Sequence, residues 1–476
     1  MTATWVPSRF TDLNDTPAAY TGQARKFPRA NSGETALEFV DPFRSTVDPV
    51  ADYGADPTGV ADSTTAFLNA IASGSHIIIP PGDYLVSDTL TFSTAGQQMY
   101  PLLWGSTFGE KPVTFWFQST TKDFIKVQAS HVSLAGFATE RPTGYTTPTA
   151  GADITIAGSP LVHATTITRP SLSNIRMVNP YIGLKIESYH WTLIVDNLDI
   201  NTPKQYGVYH TASVPYGGNV YRNIRVAGNG TAPAGIYIDQ SDYNQWDVIT
   251  VGGSAGFTTA HIYLNSATEH LYNQQMTNIY CDNIPSGSWA VKLVKGAYRN
   301  TSHRFAVLQA NTSNAGGGYV GAGVDQTSFN GAKLLHLSNN SSAGFDIYGT
   351  DTTLNDVKIG FADASIATKD GVIIRDGSSG TIVSASRVKK CNYGINVEEG
   401  ATYATITGND FTGNTNAAAI GLGVRATCKI SNNQGINDYI TSISATPEYI
   451  GQEALVSGVW YRAIGTSSTA DWKALN

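Results

Sequence analysis

Charge is scarce in this chain. Asp, Glu, Lys and Arg supply 14% of its 476 residues, against roughly 25% in an average globular protein. The net charge of -7 excludes a generally basic surface and gives no reason to expect a nucleic-acid partner. Cysteine is nearly absent: Cys281, Cys391 and Cys428 are odd in number, far apart and without metal-type pairing. They read as small buried apolar residues of a protein folded in a reducing compartment. No apolar run approaches the roughly 18 residues that cross a bilayer, and "MTATWVPSRF" has no basic-then-apolar secretion signal. A soluble protein without a membrane partner is expected. There is no G-x-S-x-G, no metal-spaced His/Cys set and no phosphate loop. The triplet Gly316, Gly317 and Gly318 lacks the helix and the Lys of a phosphate site and reads as a loop. No cofactor and no metal is expected.

What the chain has in quantity is Gly, 47 of them, with Ser, Thr and Asn, the composition of turn-rich β-structure. Its length exceeds one ordinary core, so it holds several domains or one long repetitive one. Repetition decides between these. "SNIRM" at 173, "DNLDI" at 196, "RNIRV" at 222, "DVITV" at 247 and "TNIYC" at 277 recur at steps of 23, 26, 25 and 30 residues. Each is followed, after a polar loop, by "IGLKI", "YGVYH", "AGIYI", "AHIYL" or "WAVKL". Looser copies run on through "AGFDIYG", "DGVIIRD", "YGINVEE" and "AAIGLG". A strand, a turn, a strand and a loop at this spacing form one coil of a parallel β-solenoid, and roughly ten coils fit between about 130 and 435. Alternate residues face the axis, Ile175 and Met177 in one coil, Ile224 and Val226 in another. The Gly ahead of the second strand is expected to turn a corner. Asn174, Asn197, Asn223 and Asn278, at one place in their coils, are expected to stack as an amide ladder.

Ahead of the coils, "VADYGADPTGVADSTTAFLNAI" (50–71) is followed by "HIIIPPGDYLV". The pattern predicts a helix over 62–73 with Asp62 or Ser63 as N-cap, Phe67 and Ile71 on one face and Gly74 as its stop. A solenoid's first coil leaves an unpaired apolar mouth, which this helix is expected to cap. The two stretches together resemble the N-terminal signature of the pectate-lyase-like right-handed β-helix superfamily, which includes many bacteriophage tailspike depolymerases. "FTDLNDTPAAYTGQARKFPRANSGETALEFV" is similar to a short module near the start of many phage tail fibre proteins, and "YIGQEALVSGVWYRAIGTSSTADWKALN" to a C-terminal tail seen on tailspikes.

A homotrimer is expected, since three parallel copies bury the polar flanks and ends that a single solenoid leaves in water; the resemblance implies an all-β fold, a right-handed parallel β-helix with an N-terminal capping helix. It implies four parts: a virion-attachment segment over 1–47, the capping helix and first coils over 48–130, a catalytic β-helix over 131–435 and a trimerisation tail over 436–476. By itself, 1–47 would be a linker or an oligomerisation segment, since it has too little apolar surface for a core. In the tail, Ile450, Leu455, Val459, Trp460, Ile464 and Trp472 are expected to pack on neighbouring chains. The implied role is a virion component, made in the host cytoplasm without a signal peptide, that depolymerises capsule, exopolysaccharide or O-antigen at the bacterial outer surface. Its partners would be that polysaccharide, two further copies of itself, and the phage tail, baseplate or another tail fibre through 1–47. The coils match no family motif, so the resemblance supplies no active-site residue.

The coils themselves must therefore indicate the site. Asp196, Arg222, Asp247, Thr277 and Arg304 align in one outward column, either a structural salt-bridge ladder or a polar groove floor. Eight residues back in this register, Asp239 and Glu269 fall on adjacent coils, with Asp242 three residues after Asp239. Two carboxyls about 5 Å apart suit a retaining glycosidase and about 6.5–9.5 Å an inverting one, and crowding raises one pKa so that it serves as the acid. Asp239, Glu269 and Asp242 are the expected catalytic residues; solvated loop acids are the alternative. Tyr216, Tyr221, Tyr243, Trp246, Tyr272 and Trp289 cluster in the same loops beside His270, Arg299, His303 and Arg304, either to stack on sugars or to fill a subunit interface. The expected substrate-binding set is Tyr243, Trp246, Asp247, His270, Tyr272, Arg299 and Arg304, with Glu187, His190 and His210 as weaker candidates. Hydrolysis leads. A lyase remains open, with Tyr243 or His270 as base and Arg299, Arg304 or Ca²⁺ neutralising a uronate, as does a fibre that only binds.

Overall fold

The structure, a computed structural model, describes residues 27–30, 37–40 and 46–475, less 104–110, 142–146, 158–166, 188–189, 212–217, 267–270, 273, 286, 297–302, 307–308, 312–315, 338–342, 362–368, 421–426, 436–438, 441–442, 445, 448–451 and 458. Short strands of alternating apolar and polar residues bury one side and pair in parallel with the same strand one coil on. The product is an all-β, right-handed parallel solenoid of about 11 turns. Each coil has three faces. The first is short (220–222, 245–247 and 275–277 in successive coils), and the second follows it directly (224–226, 249–251, 279–281) in the same sheet. The third (234–238, 260–264, 289–293) belongs to a separate sheet. Ile175, Met177, Ile224 and Val226 are buried as expected, and one continuous core runs from Ala55 to Ile430.

Single residues turn the corners. Between the first and second faces, Gly136, Asn174, Asn197, Asn223, Val248, Asn278, Gly331, Asp356, Ala385, Gly408 and Asn432 are left-handed, with φ from +50° to +77°. A second left-handed column precedes the first face and includes His131, Arg169, Thr192, Gly218, Tyr243, Asp351 and Tyr403. Asn tolerates this conformation better than most residues with a side chain, so its recurrence marks a backbone shape. The expected amide ladder is corrected accordingly. Only Asn197 donates to Asn174, at 3.0 Å, whereas Asn223 and Asn278 donate to carboxylates of the preceding coil.

A buried amide ladder exists elsewhere. Asn219 donates to Asn244 at 2.7 Å and Asn244 to Gln274 at 3.1 Å, while Asn219 accepts from the Leu193 amide. It satisfies polar groups at the bend ahead of the first face, in a dry environment where an unpaired one would be costly. The Gly ahead of the third face is corrected too, because it makes a close approach and turns no corner. A Cβ on Gly207 would lie 2.3 Å from Val226 Cγ1 and 2.7 Å from the Gly235 carbonyl oxygen.

At the N-terminal end, the helix Thr64–Ala72 lays Phe67 against Tyr84 and Phe115, with ring centroids 5.3 and 5.1 Å away, and Gln97 donates to the Ile71 carbonyl at 2.8 Å. Asp62 accepts from the Thr64 amide at 2.9 Å, and Gly74 follows with φ +73°. A shorter helix, Pro49–Tyr53, precedes it. Asp48 caps it through the Val50 and Ala51 amides, and left-handed Gly54 ends it. Nearby, Arg141 and Asp153 form a fully enclosed ion pair at 3.2 Å, with the Arg141 guanidinium 4.9 Å from the Phe117 ring centroid.

Beyond the coils, Tyr439–Ile440, Glu453–Val456, Val459–Ala463 and Trp472–Leu475 make a small sheet around Ala454, Ala463 and Trp472. Trp472 therefore packs within its own tail, contrary to expectation, while Val459, Trp460 and Ile464 stay exposed. Ile450 lies outside the described residues, as does most of 1–47, where only the antiparallel pair Phe27–Ala30 and Leu37–Val40 is described. The three cysteines are buried free thiols. Among the described residues no helix is long and apolar enough to cross a membrane.

Candidate functional site

Strand parity decides which side chains can reach a ligand. In the coil at 245–247, Gln245 and Asp247 face out, so Trp246 must face in. Trp246 is buried, stacked 3.8 Å from Tyr221 at 10°, and its Nε1 donates to Gln274 Oε1 at 3.2 Å. Its expected role in substrate binding is corrected: it is an interior residue. Tyr221 bonds through its hydroxyl to His210 Nε2 at 2.6 Å, and both are buried.

The outward column places Asp196, Arg222, Asp247 and Thr277 in register. Arg304 does not belong to it. Arg304 pairs with Gln275, and Ala306 takes the place opposite Thr277, because the loops between successive coils differ in length. Beside this column runs an open groove of about 600 Å³ lined by Asp196, Asn197, Asn223, Ile224, Arg225, Val248 and Thr250. A recess of about 260 Å³ lies alongside, over Arg222, Gln245, Asp247, Gln275 and Thr277.

The corner amides order the carboxylates of this groove and of the recess alongside it. Asn223 Nδ2 donates to Asp196 Oδ1 at 2.9 Å, and two coils on Asn278 Nδ2 donates to Asp247 Oδ1 at 2.8 Å. Thr277 Oγ1 adds a third bond, 2.9 Å to the same Asp247 oxygen. The Asn278 amide, with the Thr277 hydroxyl, the Val248 amide and the Arg222 charge, holds Asp247 below the usual carboxylate range, so it is ionised at neutral pH. Arg222 stands between the two acids. Arg225 reaches into the groove while anchored on buried Asp199 at 3.0 Å, which Arg176 approaches at 3.8 Å.

The groove also contains strain. Val248 occupies the left-handed corner with φ +56° and is 46% exposed. A β-branched residue in that region is a genuine outlier, and such strain collects at functional sites. Val248→Asn is expected to raise the unfolding free energy by about 1 kcal/mol, read as a higher denaturant midpoint at unchanged m-value. An unchanged or lowered midpoint would show that the corner tolerates valine without cost.

The other expected site residues do not converge on the groove. Asp239 lies on the third face, where its charge helps to raise the hydroxyl pKa values of Tyr206, Tyr209 and Tyr237; burial is the larger cause and takes Tyr206 up to about 12. These rings form a belt, with Tyr206 stacked on Tyr237 at 4.8 Å and Lys292 Nζ 5.7 Å from the centroids of Tyr263 and Tyr319. Lys185 and Glu187 pair on the same sheet. Asp242 is paired through its backbone with Tyr272 on the next coil, and Tyr243 projects from the second corner, 61% exposed. Glu269, His270 and Arg299 lie outside the described residues, as does the side chain of His190. Among the described residues no group of three His, Cys, Asp or Glu is close enough to hold a metal ion. The corner amides are legible in the sequence as a recurring Asn, but their carboxylate partners are not.

No family model and no curated protein matches the chain. Its fold is similar to that of several solved structures. Tailspike protein 3 of bacteriophage CBA120 is 11% identical, over 94% of this chain and 72% of that one, with a TM-score of 0.54. The A-module of a mannuronan C-5 epimerase from Azotobacter vinelandii is 15% identical, over 81% and 100%, with a TM-score of 0.53. Pre-mature gene product 12 of bacteriophage phi29 is 14% identical, over 87% and 57%, with a TM-score of 0.50. At these identities the likeness is one of fold.

Proposed function

We propose that this chain is a bacteriophage tailspike that binds a bacterial surface polysaccharide and hydrolyses it in the groove between the first and second faces. The observation that carries this reading is the pair Asp196 and Asp247, each clamped by a corner amide of the following coil, with Arg222 between them. Their main chains are two coils apart, about 10 Å, so their side chains need lean together only slightly to reach the roughly 6.5–9.5 Å carboxyl spacing that admits a water and inverts the sugar. Asp247, ionised, takes the proton of that water. Asp196, on the other side of the bound sugar, delivers a proton to the leaving oxygen as the general acid. Arg222 and Arg225 bond the glycan between them. The similarity in fold to a tailspike and to a mannuronan epimerase supports a polysaccharide ligand.

A second reading places catalysis on the third face, with Asp239, Asp242 and Glu269 as acids. The tyrosine belt around Asp239 favours it, since flat rings stack on sugars. The remaining parts follow the tailspike reading. The helix Thr64–Ala72 caps the first coil, exposed Val459, Trp460 and Ile464 of the tail join three copies, and 1–47 attaches the spike to the virion.

The test is digestion of purified capsular and O-antigen polysaccharides, with the products read by NMR. Saturated oligosaccharides with an inverted reducing end are expected. An unsaturated uronide would establish a lyase, and tight binding without cleavage would establish a receptor-binding fibre. Light scattering should give three times 50.7 kDa; a monomer would refute the assembly.

A further inference from the structure

The outward column of the second face changes character along the solenoid. Near the groove it runs Arg176, Asp199, Arg225, so opposite charges are neighbours. Further on it runs Lys333, Lys358, Arg387 in consecutive coils, three cations stacked at the strand spacing of about 4.8 Å. Lys389 lies on the same strand as Arg387, two residues on. Like charges directly opposite on neighbouring strands are destabilising, so the bare fold tolerates a repulsion that alternation avoids elsewhere.

Local carboxylates do not balance this strip. Asp356 meets Lys358 only at 3.8 Å, with side chains 60% and 51% exposed. Asp410 is shared between Arg387 at 3.3 Å and Lys389 at 2.9 Å. The corners beside the strip are Gly331, Asp356, Ala385 and Gly408, and the small Ala385 and Gly408 border a recess of about 220 Å³ that Arg387 and Asp410 also line. Across that corner the first face presents the stacked polar side chains of Asn355, Ser384 and Thr407, which can bond sugar hydroxyls.

We propose that this strip binds a carboxylate-bearing polysaccharide laid along the solenoid axis, with one cation per coil meeting its acidic groups. The inference rests on the reading of the chain as a polysaccharide-binding protein, and it names the class of polymer. A linear polyanion fits better than a globular partner, because the cations repeat along a straight line and have hydroxyl and amide groups beside them.

The test measures binding of full-length protein to polygalacturonate and to hyaluronan, two polycarboxylates of different backbone, with neutral dextran as control. The expected result is salt-sensitive binding of at least one polycarboxylate and none of dextran. The triple variant Lys333→Gln, Lys358→Gln, Arg387→Gln should lose at least tenfold in affinity. The charge-matched variant Lys122→Gln, Lys126→Gln, Lys204→Gln should keep it. Failure of the wild type to bind either polycarboxylate, or equal loss in both triple variants, overturns the proposal. A fall in assembled mass in the strip variant alone overturns it too, because the strip would then be a contact between copies. Cleavage of a neutral glycan without polycarboxylate binding would leave the hydrolase reading standing and remove this one.

Discussion

Asp247→Asn is expected to lower turnover of the preferred polysaccharide at least about a hundredfold, the usual contribution of a positioned acid or base. The replacement is isosteric and the carboxylate is largely solvated, so stability should change by less than about 1 kcal/mol. An amide cannot take a proton from water, and the bonds from Asn278 and Thr277 that keep Asp247 ionised would then hold a group with no basic function. Asp196→Asn should give a loss of the same order, while Asp239→Asn should stay near wild type. The reverse pattern, with Asp239→Asn inactive and both groove variants active, would move catalysis to the tyrosine belt. Comparing the three variants under saturating substrate separates lost chemistry from lost affinity.

Arg141→Met is expected to destabilise the first coils by about 3–5 kcal/mol, because it leaves Asp153 as an uncompensated charge in the interior. Burial already raises the Asp153 carboxyl above its ordinary range, and only Arg141 and Thr139 offset that penalty. Arg141 also covers the Phe117 ring and donates to the Ser119 carbonyl, so its loss removes packing as well as charge. The double variant Arg141→Met, Asp153→Leu should recover most of the stability, since apolar replacement of a whole buried pair is often neutral or better. Urea unfolding of the two variants and the wild type, followed by tryptophan fluorescence, checks both statements. A single variant within 1 kcal/mol of wild type would show that water reaches this pair.

The solenoid was legible because its signal repeats. Alternation within strands placed Ile175, Met177, Ile224 and Val226 inside, and four members of the outward column stack as read. The same alternation assigns Trp246 to the interior, since it adjoins outward Asp247. Arg304 slipped by two places because register cannot be counted through loops that differ in length. The recurring Asn was visible, but a sequence carries no φ, and a left-handed corner and an amide ladder leave the same letter in each coil. The division of Asp239 and Asp247 between two faces was hidden for a related reason. Only a few residues separate them, yet Tyr243 turns the chain between them.

Those one-residue corners also determine how the molecule can change length. A face flanked by two fixed bends has no slack, so losing one residue inside it would turn every later side chain of that strand to the wrong side. Losing one whole turn is a milder change, because each turn touches only its neighbours and the two new neighbours are built alike. Viable length variants of this rod should therefore be quantised. They would come in steps of some 23 to 30 residues, the spacings between recurring segments, and each step would shorten or extend the rod by about 4.8 Å.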